Sequence, residues 1–123
     1  MTQEERAKYA TSYALELGPG YYKGCRNMYL LLGEYVKSGL SAHEVNYKKL
    51  IETVAKERDV STETIKKAIH RYVKGGLKSY HDSWVLYTGW DKDVPPDVDT
   101  AIKLICMSID NYIEIIKKNQ KNN

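Results

Sequence analysis

The stretch of sequence that decides the fold runs from Tyr47 to Lys74 and reads YKKLIETVAKERDVSTETIKKAIHRYVK. Its apolar residues recur every three or four positions, which predicts two amphipathic helices over 47–58 and 62–74. The predicted buried residues are Leu50, Ile51, Val54 and Ala55 in the first helix and Ile65, Ala68, Ile69, Tyr72 and Val73 in the second. The short segment 59–61 interrupts the periodicity, and two helices joined by such a turn form a helix-turn-helix unit.

The turn between these two helices carries residue types that suit a sharp reversal of the chain. Asp59 tolerates the left-handed backbone region better than most residues do. Val60 is expected to tuck beneath the turn, and the small side chain of Ala55 lets the two helices cross closely. Ser61 or Thr62 can cap the second helix, because either hydroxyl can accept a hydrogen bond from a free backbone amide.

Helical periodicity continues through the rest of the chain, where four more helices are predicted over 2–17, 23–36, 78–86 and 97–118. Thr2 and Glu5 form a capping-box pattern at the start of the first of these. Glycine suits a helix C-cap, and helices are expected to stop at Gly18-Pro19-Gly20, Ser38-Gly39 and Gly75-Gly76. The sequence therefore predicts an all-α fold of five to six helices with an embedded helix-turn-helix, in one domain that spans 1–123.

Composition excludes several classes of protein. The 123 residues are 42% hydrophobic and 28% charged, which is ordinary for a single folded domain. No run of apolar residues is long enough to cross a membrane, and the acidic, polar segment 1–6 does not resemble a signal peptide. Cys25 and Cys106 match no metal-ligand spacing, which favours reduced, mostly buried thiols in a cytoplasmic protein.

Large rings accumulate between 77 and 94, at Tyr80, Trp84, Tyr87 and Trp90. Packing of these rings in the core is the more common explanation. A protein interface is the alternative, because Trp and Tyr anchor interfaces. We expect most of the four rings to lie in the core and one or two to form a dimer contact.

Positive charge is concentrated in the middle third of the chain. Residues 1–46 have a net charge of 0, 47–81 have +5 and 82–123 have −2, so the helix-turn-helix region supplies the whole surplus of +3. Such a concentration is the electrostatic signature of a protein that binds a polyanion. On charge alone, a lysine-rich face that is merely solvated is an equally good interpretation.

The exposed face of the predicted 62–74 helix has the chemistry of a helix that enters the major groove of double-stranded DNA. Lys and Arg can donate to guanine or to phosphate, Thr can donate or accept, and the amides at a helix start favour a phosphate. The candidate recognition residues are Glu63, Thr64, Lys66, Lys67, His70, Arg71 and Lys74. The candidate contacts to the DNA backbone are Lys48, Lys49, Ser61 and Lys78. Because any amphipathic helical hairpin has this periodicity, a purely structural hairpin is the competing interpretation.

Several short matches in a fixed order resemble one family. They are Ser12-Tyr13-Ala14-Leu15-Glu16-Leu17-Gly18, Tyr22-Lys23-Gly24, Met28-Tyr29-Leu30, Ala68-Ile69-His70-Arg71 and a final amphipathic helix preceded by proline. Together they resemble the C-terminal DNA-binding effector domain of the sporulation initiation response regulator of endospore-forming bacteria, from about Ala10 to Ile116. The resemblance implies a six-helix domain that reads DNA in the major groove and binds as a homodimer or in tandem on half-sites.

Two departures from that family matter. The family's regulator carries a phosphoacceptor receiver domain, for which a chain of this length has no room, so phosphorylation-driven dimerisation is not expected. The family's base-reading positions carry Glu and Arg, where this chain has Lys66, Lys67 and His70. Since Arg and Lys are not interchangeable at a bidentate contact, a different DNA sequence is expected. An alternative is an interaction module of the same fold that pairs with a full-length regulator and does not read DNA itself.

Catalysis is not expected. His81 and Asp82 are adjacent, and adjacent side chains on a helix do not face each other. No nucleophile or phosphate-binding loop accompanies them, His70 is expected to face DNA or solvent, and His43 is expected in a polar linker. The sequence thus predicts a protein that is not an enzyme and has no cofactor, no metal, no small-molecule substrate and no membrane partner.

Overall fold

The computed structural model describes residues 2–17 and 23–121. Within these ranges the chain forms six α-helices and no strand, which confirms the predicted all-α fold. The helices are α1 (Gln3–Leu17), α2 (Lys23–Ser38), α3 (Tyr47–Arg58), α4 (Thr62–Ser79), α5 (His81–Thr88) and α6 (Val98–Lys121). The expected stop at Gly18-Pro19-Gly20 lies outside the described residues, as does the side chain of Cys25.

The hydrophobic core receives one face of every helix. All nine residues predicted to be buried in 47–58 and 62–74 are buried. The core is completed by the apolar side chains of α1 and α2, by Trp84 of α5 and by four isoleucines of α6, namely Ile102, Ile105, Ile109 and Ile113. Because α2 packs against α1, α3 and α4, it holds the two helices of the central hairpin against the rest of the domain. Across the described ranges, no helix combines the length and the apolar character that crossing a membrane requires.

Backbone caps define the hairpin of α3 and α4. The N–H of Asp59 donates to the Lys56 carbonyl oxygen at 3.2 Å, and the N–H of Val60 donates to the Ala55 carbonyl oxygen at 2.9 Å. This pair of bonds is a Schellman motif. Asp59 adopts the left-handed conformation (φ 55°, ψ 48°), as predicted. The expectation that Val60 tucks beneath the turn is wrong, because its backbone closes the motif while its side chain remains 39% exposed.

Side chains cap the starts of three helices. The Ser61 hydroxyl accepts from the Thr64 N–H at 3.2 Å, so Ser61 is the cap of α4. Asn46 caps α3 by accepting from the Lys49 N–H at 3.1 Å. The Thr2 hydroxyl accepts from the Glu5 N–H at 3.2 Å at the start of α1. Each cap satisfies an amide that has no partner within its own helix.

Two boundaries predicted from Gly75-Gly76 are wrong, because α4 continues through both glycines to Ser79. Gly76 is buried, and a Cβ there would overlap the Leu17 carbonyl oxygen and the Nε1 atom of Trp84. The glycine therefore permits close packing of α4 against α1 and α5, and it does not end the helix. As a result α5 begins at His81 and not near residue 78.

The rings of the 77–94 stretch divide between core and surface. Trp84 is fully buried and donates from Nε1 to the Leu17 carbonyl oxygen at 2.7 Å. Tyr80 and Trp90 are half-buried and pack against the core. Tyr87 is exposed, although its ring meets that of Tyr13 edge to face with the centroids 5.3 Å apart. Core packing is thus confirmed for three of the four rings.

A carboxylate of α6 ties the start of α3 to the rest of the domain. Asp110 accepts from the Tyr35 hydroxyl at 2.6 Å and from the Ala42 N–H at 3.1 Å. The Tyr47 hydroxyl in turn donates to the Ala42 carbonyl oxygen. Burial, and then the bond to Asp110, raise the pKa of Tyr35, and burial raises the pKa of Tyr47 to about 12. Both hydroxyls therefore stay protonated, and α3 starts from a fixed position.

Candidate nucleic-acid interface

The outer face of α4 is basic from Lys67 to Lys78. Lys67, His70, Arg71, Lys74 and Lys78 are exposed and follow one another at intervals of one, three or four residues. Since i, i+3 and i+4 positions share a helix face, these side chains form one surface, here called the basic face. Glu63 and Thr64 are exposed at its N-terminal end, and Lys66 is half-buried at its edge.

Most cations of the basic face have no acidic partner in the described part of the chain. Lys66 Nζ lies 3.5 Å from Glu63 Oε1, and this is the ion pair that the described residues of α4 form. The Lys66 side chain is 45% exposed and that of Glu63 is 70% exposed, and an ion pair so open to solvent is weak and easily exchanged. Lys67, Arg71 and Lys74 therefore remain available to an external anion.

The first turn of α4 offers backbone donors at the same end of the basic face. The Ser61 hydroxyl is engaged as the cap, and it also lies 2.9 Å from the Thr64 hydroxyl oxygen. The amides of Thr62 and Glu63 belong to the first turn, where a helix leaves its N–H groups without internal acceptors. An anion at this end would therefore meet backbone N–H groups and the positive end of the helix dipole.

The lysines expected to flank the hairpin lie in three different places. Lys48 borders a hollow of about 150 Å³ together with Thr62 and Lys66, so it lies beside the start of α4. Lys78 extends the basic face at the C-terminal end of α4. Lys49 instead borders a hollow with Glu34 and Glu44 near the end of α2. The structure thus brings Lys48 and Lys78 to the basic face, whereas Lys49 borders a different hollow.

Residues 93–98, here called the side wall, border the basic face and were not predicted from the sequence. This segment comprises the end of the α5–α6 connection and the first residue of α6, and it runs beside α4. Lys66, Lys67, His70 and Arg71 line one side of an open groove of about 860 Å³, and Pro95, Pro96, Asp97 and Val98 line the other. A smaller hollow of about 420 Å³ continues from it past Lys74, Lys78 and Asp93, with Pro95 bordering both.

The side wall is held in place by its own contacts. Pro96 is buried and Pro95 is half-buried, and proline restricts the backbone. The Trp90 Nε1 donates to the Val94 carbonyl oxygen at 3.0 Å, and Lys92 Nζ lies 5.1 Å from the centre of the Trp90 ring. These contacts fix the side wall, so the groove between it and the basic face is part of the folded structure.

The other histidines and the described cysteine lie in three separate places. His43 is exposed in the segment that precedes α3, and His81, half-buried at the start of α5, borders the hollow beside Lys74 and Lys78. Cys106 is buried in α6, and burial raises the pKa of its thiol. A protonated, buried thiol is a poor nucleophile. Comparison of the chain with family models, with curated proteins and with solved structures gave no match.

Proposed function

We propose that this chain is a sequence-specific DNA-binding transcription regulator of the kind its sequence resembles, in which α3 and α4 form the helix-turn-helix. The observation that carries the proposal is the row of unpaired cations along the exposed face of α4, whose opposite face is anchored in the core. A recognition helix needs both properties, because it must be rigidly held and still present donors to base edges.

Each part of the surface has a proposed role. Lys67, His70 and Arg71 reach base edges or nearby phosphates, and Lys66 joins them once its weak pair with Glu63 is released. Lys48, Lys74 and Lys78 contact the phosphate backbone, which fixes orientation without reading sequence. The first-turn amides of α4 add a further phosphate contact. On DNA the protein acts as a dimer or in tandem.

The primary experiment measures the fluorescence anisotropy of labelled duplexes. A duplex selected from a random library is compared with a scrambled duplex of the same composition, over a series of salt concentrations. Tighter binding of the selected duplex is expected, with the logarithm of affinity falling by roughly 0.9 per phosphate contact against the logarithm of salt concentration. Equal, weak binding of both duplexes would contradict sequence-specific recognition.

Lys67→Ala tests the central side chain of the basic face. If Lys67 reads a base, the substitution costs about 1–3 kcal/mol of binding free energy on the selected duplex and weakens the preference for one base at one position of the site. An equal loss on every duplex, with the salt slope reduced by about 1, would assign Lys67 to a phosphate instead. Lys117→Ala is the matched control, because it removes the same charge from the far end of α6.

A second candidate is the interaction module that pairs with a full-length regulator. It is favoured by the apolar side chains that α5 exposes, since Leu86 is 75% exposed and Val85 and Tyr87 are exposed beside it. Exposed apolar side chains of this size can contribute to a protein interface. Light scattering of the protein alone and mixed with a full-length regulator of the resembled family separates the two: a protein that stays monomeric in both samples contradicts the interaction module.

A further inference from the structure

The groove between α4 and the side wall is lined by positive and negative side chains that form no ion pair with each other in the described part of the chain. Asp97 lines the same groove as Lys66, Lys67 and Arg71. In the described part of the chain, none of these three cations forms an ion pair with Asp97 within 4.0 Å. Asp97 therefore borders the groove with a carboxylate that none of these three cations pairs with.

The rigid backbone of the side wall restricts the movement of Asp97 that an ion pair with these cations would require. Pro95 and Pro96 stiffen the segment, and the buried ring of Pro96 anchors it. Asp97 immediately precedes α6, and its carbonyl oxygen accepts from the Ala101 N–H at 2.9 Å. The backbone on both sides of Asp97 is thus fixed, and the groove stays open.

An occupant of this groove must suit a wall of cations and a wall of prolines with one carboxylate. A strand of duplex DNA fits, because it presents phosphates to Lys67 and Arg71 and apolar sugar faces to the prolines. Non-specific binding of DNA depends almost entirely on phosphate contacts. A fixed negative charge in the groove repels phosphates and so opposes binding that depends on phosphate contacts alone. Specificity is a difference between affinities, and a repulsive element of this kind increases it.

We propose that Asp97 is a specificity-determining residue of the DNA-binding surface, which weakens binding to unselected DNA and so increases discrimination in favour of the cognate sequence. This inference rests on the proposed function. The segment 93–98 is then the second wall of the DNA-binding cleft, and the affinity of α4 for phosphates is set by both walls together.

The test is Asp97→Asn, measured on the selected and scrambled duplexes by anisotropy. Asparagine is as good a helix cap as aspartate, so the fold is expected to be kept, which far-UV circular dichroism checks. Removing one charge beside the phosphates should tighten binding of the scrambled duplex about three- to tenfold at low salt, with a smaller gain on the selected duplex. The gain should shrink at high salt, because screening shortens the range of the interaction.

Glu114→Gln is the matched control. It makes the same change of net charge on an exposed side chain of α6. Along a helix that rises 1.5 Å per residue, this position lies roughly 25 Å from Asp97, well beyond the screening length. The control should leave both affinities unchanged.

The outcomes separate the two proposals. If Lys67→Ala weakens binding while Asp97→Asn changes nothing, or changes it no more than Glu114→Gln does, the role of Asp97 is refuted and DNA binding stands. Weaker binding of Asp97→Asn to the selected duplex alone also refutes it, because Asp97 would then be an attractive base contact. If neither the wild-type protein nor Asp97→Asn binds any duplex, DNA binding itself is refuted and the inference falls with it.

Discussion

The two neighbouring glycines of α4 should respond in opposite directions to the same substitution. At Gly76 a new Cβ would be forced between the Leu17 carbonyl oxygen and Trp84 Nε1, two atoms that are hydrogen-bonded at 2.7 Å. At Gly75, one residue earlier, a Cβ meets no atom within 4 Å. The pair therefore isolates the effect of packing, because the helix and the substitution are the same.

The magnitudes follow from the groups involved. Gly76→Ala leaves a buried N–H and a buried carbonyl oxygen unpaired, at a cost of about 1–3 kcal/mol. Forcing an added methyl group into a filled site costs about 1–3 kcal/mol more. The gain in helix propensity returns only about 1 kcal/mol. We expect a net loss of roughly 3 kcal/mol for Gly76→Ala, and a gain of about 0.5–1 kcal/mol for Gly75→Ala.

The assay is urea unfolding followed by circular dichroism at 222 nm. With a slope of about 1–3 kcal/mol per molar urea, the midpoint of Gly76→Ala should fall by roughly 1–3 M. That of Gly75→Ala should rise slightly, with the slope unchanged. If Gly76→Ala is as stable as the wild type, the close approach of α4 to α1 and α5 is refuted. If Gly75→Ala loses as much stability as Gly76→Ala, the cause is a change in the helix itself and not in its packing.

Three further predictions concern stability. Asp59→Gly should raise the free energy of unfolding by about 0.5–1 kcal/mol, because glycine adopts the left-handed conformation without strain and the carboxylate no longer faces the negative end of α3; a thermal melt with a lower midpoint would contradict this. Tyr35→Phe should cost about 1.5–3 kcal/mol in urea unfolding, since it removes the 2.6 Å bond to Asp110, and an unchanged midpoint would mean that the bond is not formed in solution. The free energy of unfolding should fall at alkaline pH, because burial raises the pKa values of Tyr35, Tyr47 and Cys106. The stability that these protonated groups contribute is complete below their ordinary pKa values, 10.0 for tyrosine and 9.0 for cysteine. It is lost as pH rises through about 12 for Tyr47, and melts from pH 8 to 12 should show Tyr47→Phe declining less steeply than the wild type.

Local signals explain what could be predicted from the sequence. The bounds of α3 agree with the structure because its periodicity and the turn residue Asp59 act over a few positions. The role of Gly76 could not be deduced in this way, since it depends on Leu17 and Trp84, which are distant in the chain or belong to another helix. The predicted burial of the Val60 side chain is wrong for a related reason, because a hydrophobic residue can close a turn with its backbone alone.

The candidate site likewise contains some residues whose positions follow from local sequence and others whose positions depend on tertiary structure. The exposure of Lys67, His70 and Arg71 follows from helical periodicity and was predicted. The side wall around Asp97 was not, because it reaches the basic face only through the packing of α6 against α3 and α4. The position of Lys49 beside acidic residues near the end of α2 likewise depends on tertiary structure.

The end of α1 has a consequence for the order in which the chain can fold. Two of its last carbonyl groups are satisfied by side chains that come much later in the sequence: Ala14 accepts from the Tyr72 hydroxyl at 2.5 Å, and Leu17 accepts from the Trp84 indole. Although α1 precedes α4 and α5 in the chain, its C-terminal end is thus completed only after Tyr72 and Trp84 have been synthesised. We expect the C-terminal turn of α1 to gain protection from hydrogen exchange together with α5, late in folding.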